Sequence, residues 1–182
     1  FLGLNVFSND EVWNDLKKHE AKYYSFKVPS VWRQIPTSEK GLEFFFEASG
    51  IGFPAKYNDK VVKVVAFITK QSCMDLDDCK FKCVSGYRYN SDRVFEYGKE
   101  DYIEKIKLSS SQDAYFVKTQ FFRNSNGLNQ SRYDLIVFSR KAGAGFVFTF
   151  SVQYLDKTNA FEEEYKLTEF ARKLFSYFVL RA

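Results

Sequence analysis

The sequence predicts an α+β fold: a central antiparallel sheet of about six or seven strands flanked by helices, with a long C-terminal helix packed on the sheet. Three observations carry that expectation. First, Tyr115 to Phe122, Tyr133 to Phe138 and Phe146 to Tyr154 alternate with a period of two, which sends successive side chains to opposite faces of a strand. The connections between them, Asn124-Ser-Asn-Gly127 and Lys141-Ala-Gly-Ala-Gly145, suit antiparallel neighbours and are too short for helical crossovers. Second, an amphipathic helix from about Ala160 to Phe178 follows this meander, and its apolar face needs a sheet to lie on. Third, 21 Phe, 12 Tyr and 2 Trp make the chain 19% aromatic, and flat rings fit between a pleated sheet and a layer laid across it.

The remaining elements follow in chain order. Ser8-Asn-Asp-Glu11 reads as a capping box, so a short helix is expected as far as Glu20, with Val12, Trp13 and Leu16 inward and Asp15 and His19 outward. Lys22 to Val28 alternates as a strand that Pro29 ends, because proline cannot donate to a ladder. Val31 to Pro36 is a short extended piece. In Leu42 to Ala48, the residues Leu42, Phe44, Phe46 and Ala48 oppose Glu43, Phe45 and Glu47. Gly50 to Pro54 is a loop by composition. Val61 to Lys70 is apolar on both faces, as in a central strand covered on both sides. The cysteine segment and Gly86 to Tyr97 read as irregular, and Glu100 to Leu108 as a brief helix with Tyr102, Ile103 and Ile106 turned inward. In the last helix Asn159 and Glu162 pair as a cap, with Glu162 to Glu164 at the positive end of the dipole and Arg172 and Lys173 toward the negative end. Residues 1–182 form one domain, a length at which a single core suffices.

The net charge is +4, from 27 Lys and Arg against 23 Asp and Glu mixed along the chain, which is not the one-sided footprint of a nucleic-acid binder. The densest basic spots, Lys17-Lys18 and Arg140-Lys141, read as solvated surface. No apolar run approaches the ~20 residues that a transmembrane helix needs. The chain opens at Phe1 with Leu2, Leu4, Val6 and Phe7 close behind, either the start of a mature form after export or simply a boundary.

Reactive groups are sparse. The only histidine, His19, is expected on an exposed helix face, where it reads as solvated surface and not as part of a triad or dyad. Glu43 and Glu47 share a strand face but stand roughly 13 Å apart at ~3.3 Å per residue, too far to share a proton. Asp75, Asp77 and Asp78 lack the glycine and closing glutamate of a calcium loop. Gly50-Ile-Gly52 and Gly143-Ala-Gly145 lack the third glycine and helix start of a phosphate loop. Asn129-Gln130-Ser131 fits a glycosylation sequon of the kind that arises by chance. Cys73, Cys79 and Cys83 lie within eleven residues; a local disulfide among them and free thiols both remain open, while the x5 and x3 spacings suit zinc poorly. No catalytic residues, metal or cofactor are expected. Tyr23, Phe45 and Phe122 stand beside charged residues and are candidates for an exposed platform, with core packing under a helix as the commoner fate of such rings.

Tyr24-Ser-Phe26-Lys-Val28-Pro29-Ser-Val-Trp32, an extended apolar segment ending at proline with tryptophan three residues on, resembles the opening strand of the Mog/PsbP-like family. The paired strands Tyr133 to Arg140 and Gly145 to Tyr154, with the helix ending Leu174-Phe175-Ser176-Tyr177-Phe178, resemble its close. The resemblance implies an α/β/α sandwich around a central antiparallel sheet. It also implies a binding or assembly role, since the known members include extrinsic subunits of a photosynthetic complex, a Ran-binding nuclear factor and secreted bacterial proteins. It supplies no catalytic set, and the Cys73 to Cys83 insert stands outside its pattern.

The expectation is therefore a non-enzymatic, exported binding or assembly domain, secreted or periplasmic, with a protein or cell-envelope component as its unknown partner. No nucleic acid and no transmembrane segment are involved. The alternative is a small-molecule binder or enzyme of the cone-shaped α+β type, resembling the nuclear-transport-factor and ketosteroid-isomerase group, with a cavity lined by Asp, Tyr or His. Tyr133 and Asp134 would be its first suspects. A buried Asp134 would suit a general base in such a pocket, and an exposed one is expected.

Overall fold

The computed structural model describes residues 11–48, 61–90, 96–97, 102–122, 129–155 and 166–181. A single 3-10 turn (Glu11–Asn14) leads into the hairpin of β1 (Leu16–Glu20) and β2 (Tyr24–Pro29), followed by β3 (Arg33–Gln34), β4 (Leu42–Glu47) and β5 (Val61–Gln71). The first α-helix, α1 (Leu76–Asn90), precedes β6 (Glu96–Tyr97) and β7 (Tyr102–Lys107). The meander of β8 (Asp113–Phe122), β9 (Asn129–Ser139) and β10 (Ala144–Tyr154) comes next, then α2 (Leu167–Ser176) and β11 (Val179–Leu180). Eight strands form one sheet in the order β3-β4-β5-β10-β9-β8-β6, with β7 also paired to β8; β1-β2-β11 form a second, three-stranded sheet.

Alternation along β10 divides the core. Phe146, Phe148, Phe150, Val152 and Tyr154 project to one side, where α2 and the small sheet cover them. The helix meets them with Leu167, Phe170, Ala171, Leu174 and Phe175, all buried and spaced as one helical face. Rings fill the layer between: Phe26 meets Phe148 at 5.4 Å, Tyr24 stacks on Phe178 at 5.2 Å, and Phe150 lies 5.0 Å from Phe170. The opposite face carries Val147, Ile136, Tyr115 and Val117, on which α1 packs with Cys79 and Cys83. Helices thus lie on both faces of an antiparallel sheet, the α+β arrangement that the period-two segments predict.

Three local expectations are corrected. The helix expected up to Glu20 is a 3-10 turn followed by β1, because five residue pairs from Leu16↔Pro29 to Glu20↔Ser25 bind this segment to β2; Ser8 to Asp10 of the capping box lie outside the described residues. The brief helix expected near Glu100 to Leu108 is strand β7, whose pairing with β8 runs from Tyr102↔Lys118 to Lys107↔Asp113. The cysteine segment is not irregular but helical. Asp75 accepts the amide of Asp78 at 2.8 Å while the Asp78 carboxylate accepts the amide of Met74 at 2.9 Å, a reciprocal cap that starts α1. At fifteen residues α1 is longer than α2, which has ten. The latter begins at Leu167 because Lys166 is left-handed, with φ 51°. The expected cap at Asn159 and Glu162 and the loops at Gly50 to Pro54 and Asn124 to Gly127 lie outside the described residues.

A disulfide joins Cys73, just past β5, to Cys79 in α1, with Cα atoms 5.2 Å apart. Cys83, one helical turn on, is buried and stays outside that bond. The bridge lies on the backbone of β10. A Cβ at Gly145 would come within 2.6 Å of the Cys73 sulfur, closer still to that of Cys79, and 3.3 Å from the Val137 carbonyl oxygen. Only a hydrogen fits. Gly145→Ala is accordingly expected to destabilise the fold by about 1–3 kcal/mol through overpacking, measured by urea denaturation. Pairing it with Cys73→Ala and Cys79→Ser should remove most of that penalty relative to the cysteine variant alone; an equal penalty in both backgrounds would show that the bridge does not set the clearance.

Candidate functional site: an aromatic and arginine row beside α1

On the face that carries α1, the helix packs on β8, β9 and β10. The neighbouring part of that face, across β4, β5, β10 and β9, bears a row of side chains set by register. Phe45 opposes Phe67, Phe67 opposes Thr149, and Thr149 opposes Asp134. Directly opposed residues of antiparallel strands share a face, so all four project together. The Phe45 and Phe67 rings stand 6.1 Å apart and nearly parallel, at 10°. Arg132, two residues before Asp134 and therefore on the same face, reaches across β10 to place its guanidinium 5.6 Å from the Phe67 centroid.

Asp134 anchors that arginine. Its side chain is 0% exposed against 21% for Arg132. Arg132 Nε donates to both carboxylate oxygens at 3.3 and 3.2 Å, Nη2 donates to Oδ1 at 3.3 Å, and Thr149 Oγ1 donates to the same oxygen at 2.5 Å. Nη2 also reaches Thr149 Oγ1 at 3.3 Å. A carboxylate removed from water requires a charge partner and hydrogen bonds, and this one has both. Grooves flank the rings: one of about 420 Å³ beside Gly41, Leu42 and Thr69, and one of about 200 Å³ beside Lys63, Gln130 and Gln153.

Of the residues singled out in the sequence, Phe45 and Asp134 share this face, at the two ends of the row and with β5 and β10 between them. Asp134 is buried where exposure was expected, because Arg132 and Thr149 close over it. Tyr133 points the other way, fully buried 6.2 Å from Phe116 and 6.1 Å from Phe150. Tyr23 is half-buried and its ring tilts against Phe146 at 6.3 Å. The backbone of Phe122 pairs with Asn129 and Glu96, and its side chain lies outside the described residues. Phe67, Arg132 and Thr149 escaped the sequence reading, although Arg132-x-Asp134 spacing on a strand does put opposite charges on one face. Asn129 is buried in β9, away from the surface loop that a glycosylation acceptor occupies.

The other ionisable candidates are dispersed. A register shift between Leu42 and Phe44 lets Glu43 accept the Tyr24 hydroxyl, while Glu47 takes Arg33 at 3.1 Å. Burial, then the Glu43 carboxylate, raises the Tyr24 phenol well above its ordinary range. Among the described residues no group of three or more His, Cys, Asp or Glu is placed to hold a metal ion.

His19 is not the exposed helix residue expected. It sits half-buried in β1, stacked on Phe26 at 5.2 Å with Phe44 and Phe46 edge-on at 6.0 and 5.0 Å, and its Nε2 is sealed without a hydrogen-bond partner. Burial, then the charge of Lys17, lowers its pKa below the ordinary 6.5. Between the lowered folded value and 6.5 the unfolded chain binds more protons, so stability falls as pH drops through that window and is complete above it. The urea midpoint should therefore decline from pH 7.5 toward pH 5, and His19→Phe should flatten that decline. An unchanged slope in the variant would locate the titration elsewhere.

No protein-family model matches the chain, and no curated protein matches it by sequence. Solved structures do match. The Ran-binding protein Mog1p of Saccharomyces cerevisiae superposes with a TM-score of 0.57 at 8% identity, covering 91% of this chain and 95% of its own. PA94, a Pseudomonas aeruginosa protein of unknown function, gives 0.48 at 12% identity over 92% and 99% of the two chains. LpqN, involved in cell envelope biogenesis of Mycobacterium tuberculosis, gives 0.47 at 15% identity over 98% and 99%. This chain has the α+β fold seen in Mog1p.

Proposed function

We propose that the chain is a non-enzymatic binding or assembly domain of Mog/PsbP-like type, exported from the cytoplasm, whose partner is a protein docking on the β4-β5-β10-β9 face. The row Phe45, Phe67, Arg132, Asp134 carries this reading. Aromatic rings and arginine are the side chains that dominate binding energy at protein interfaces. Here the guanidinium is already held by Asp134 and Thr149, so docking costs little side-chain entropy. Lys63, Gln130 and Gln153 around the groove supply a polar rim. Mog1p itself is a Ran-binding protein, a precedent for a protein partner on this scaffold. The cone-shaped enzyme reading needs Tyr133 and Asp134 in one cavity, and strand alternation sends them to opposite faces.

A photo-crosslinking residue in place of Phe45, in protein expressed in its native host, should trap one discrete protein adduct, and Phe67→Ser should reduce its yield. The same residue in place of Glu169, exposed on α2, is the control. Adducts of equal yield at both positions, or none at Phe45, would overturn the docking assignment. Arg132 is the wrong position to test first, because truncating it strands a buried carboxylate.

Export rests on the Cys73–Cys79 disulfide, a bond that persists in oxidising compartments. Protein from the native host, denatured without reductant, should titrate a single thiol, and three after reduction. Three thiols without reduction would place it in a reducing compartment.

A further inference from the structure

A second concavity opens where the first turn of α1, the β7–β8 hairpin, the β9–β10 turn and the end of β11 converge, and it shares no lining residue with the Phe45 row. Its volume is about 970 Å³, at the upper end of the roughly 300–1,000 Å³ typical of small-molecule sites. Leu76, Phe138 and Leu180 give it an apolar wall, and the Met74 thioether stands at the rim, 81% exposed. An adaptable apolar side chain left this open to water is a feature of surfaces that accept hydrocarbon.

The charges around that wall are unbalanced. Five cationic side chains and three carboxylates line the groove, and each carboxylate is already engaged. Asp113 takes Lys107 at 2.7 Å and Lys105 at 3.7 Å; Asp77 accepts the Tyr115 hydroxyl at 2.5 Å; Asp75 caps α1 through the Asp78 amide. Arg181 leans outward to Glu20 at 3.1 Å. Arg140, exposed at the β9–β10 turn, makes no ion pair among the described residues. Gln112 also lines the groove.

We propose that this groove binds an amphiphilic organic anion, a carboxylate or phosphate head on a hydrocarbon body. The head sits by Arg140, beside the two lysines that share the single Asp113 carboxylate and so keep one positive charge in surplus, and the tail lies along Leu76, Phe138 and Met74. Neither end suffices alone: the cations are too exposed to hold a bare inorganic anion firmly, and the wall is too small to hold a neutral chain against micelle formation.

Calorimetric titration of the whole chain with dodecanoate, dodecyl phosphate and the non-ionic dodecyl maltoside, each below its micellar threshold, tests this. Saturable one-to-one binding of at least one anion is expected, with the maltoside weaker by about tenfold or more. Carboxylate against phosphate affinity then identifies the head group. Arg140→Glu and Met74→Asp alter exposed residues and should each weaken binding by about tenfold or more with the urea midpoint unchanged. The proposal is overturned if neither anion saturates, if the maltoside binds equally well, or if both variants bind as the parent does. Because no residue is shared with the Phe45 row, failure here leaves the docking assignment standing, and the reverse also holds.

Discussion

The whole body hangs on β10. It is paired along its length to β9 on one edge and β5 on the other, so its eleven residues fix the register of the central sheet from both sides. Because side chains alternate strictly along a strand, the same register decides what each face contains. Phe146, Phe148 and Phe150 commit one face to a ring-filled layer. A slip by one residue would put those rings under α1 and turn Thr149 and Ser151 toward α2. Hydrophobic burial, at about 25 cal/mol per Å², makes such an exchange of three phenylalanines prohibitive.

The second face is built by different means. α1 has few large apolar residues to bury, and its inward positions, Cys79 and Cys83, are small. Close approach replaces bulk. Gly145 removes the one side chain that would hold the disulfide away from β10, and Leu76 and Val84 pack around the edges. A helix seated this close over three strands leaves the rest of the face to Phe45, Phe67 and Arg132. The candidate docking surface is thus a consequence of where the covering layer stops.

How much of this could be read from residues alone follows from the strength of burial at each position. Segments β8, β9 and β10 were legible because buried and exposed or oppositely buried positions alternate over ten or more residues. β1 and β7 carry no strand signal of their own because each is a sheet-margin strand with little burial, so pairing decides their conformation and local pattern does not. α1 has a weak helical signature because cysteines form its stripe, and only the Asp75 and Asp78 cap and the four-residue step from Cys79 to Cys83 mark it. At the site, Phe45 and Asp134 stood out by residue type. Phe67 and Arg132 did not, since their significance depends on a cross-strand register that no single segment encodes.

The Arg132–Asp134 pair also bears on why this face is specific and not merely exposed. Burying two charges recovers little stability over an apolar pair of the same volume, because desolvation offsets the attraction. Removing only Arg132 is another matter: an unpaired buried carboxylate costs about 3–5 kcal/mol, a large share of the roughly 5–15 kcal/mol that holds a typical domain folded. The pair therefore contributes little to folding yet is locked once present. That locking holds a guanidinium 5.6 Å from the centre of the Phe67 ring, on a face where an unanchored arginine would sample many rotamers. A fixed cation beside two parallel rings presents one defined pattern of charge and apolar surface to a partner, and a mobile one presents an average.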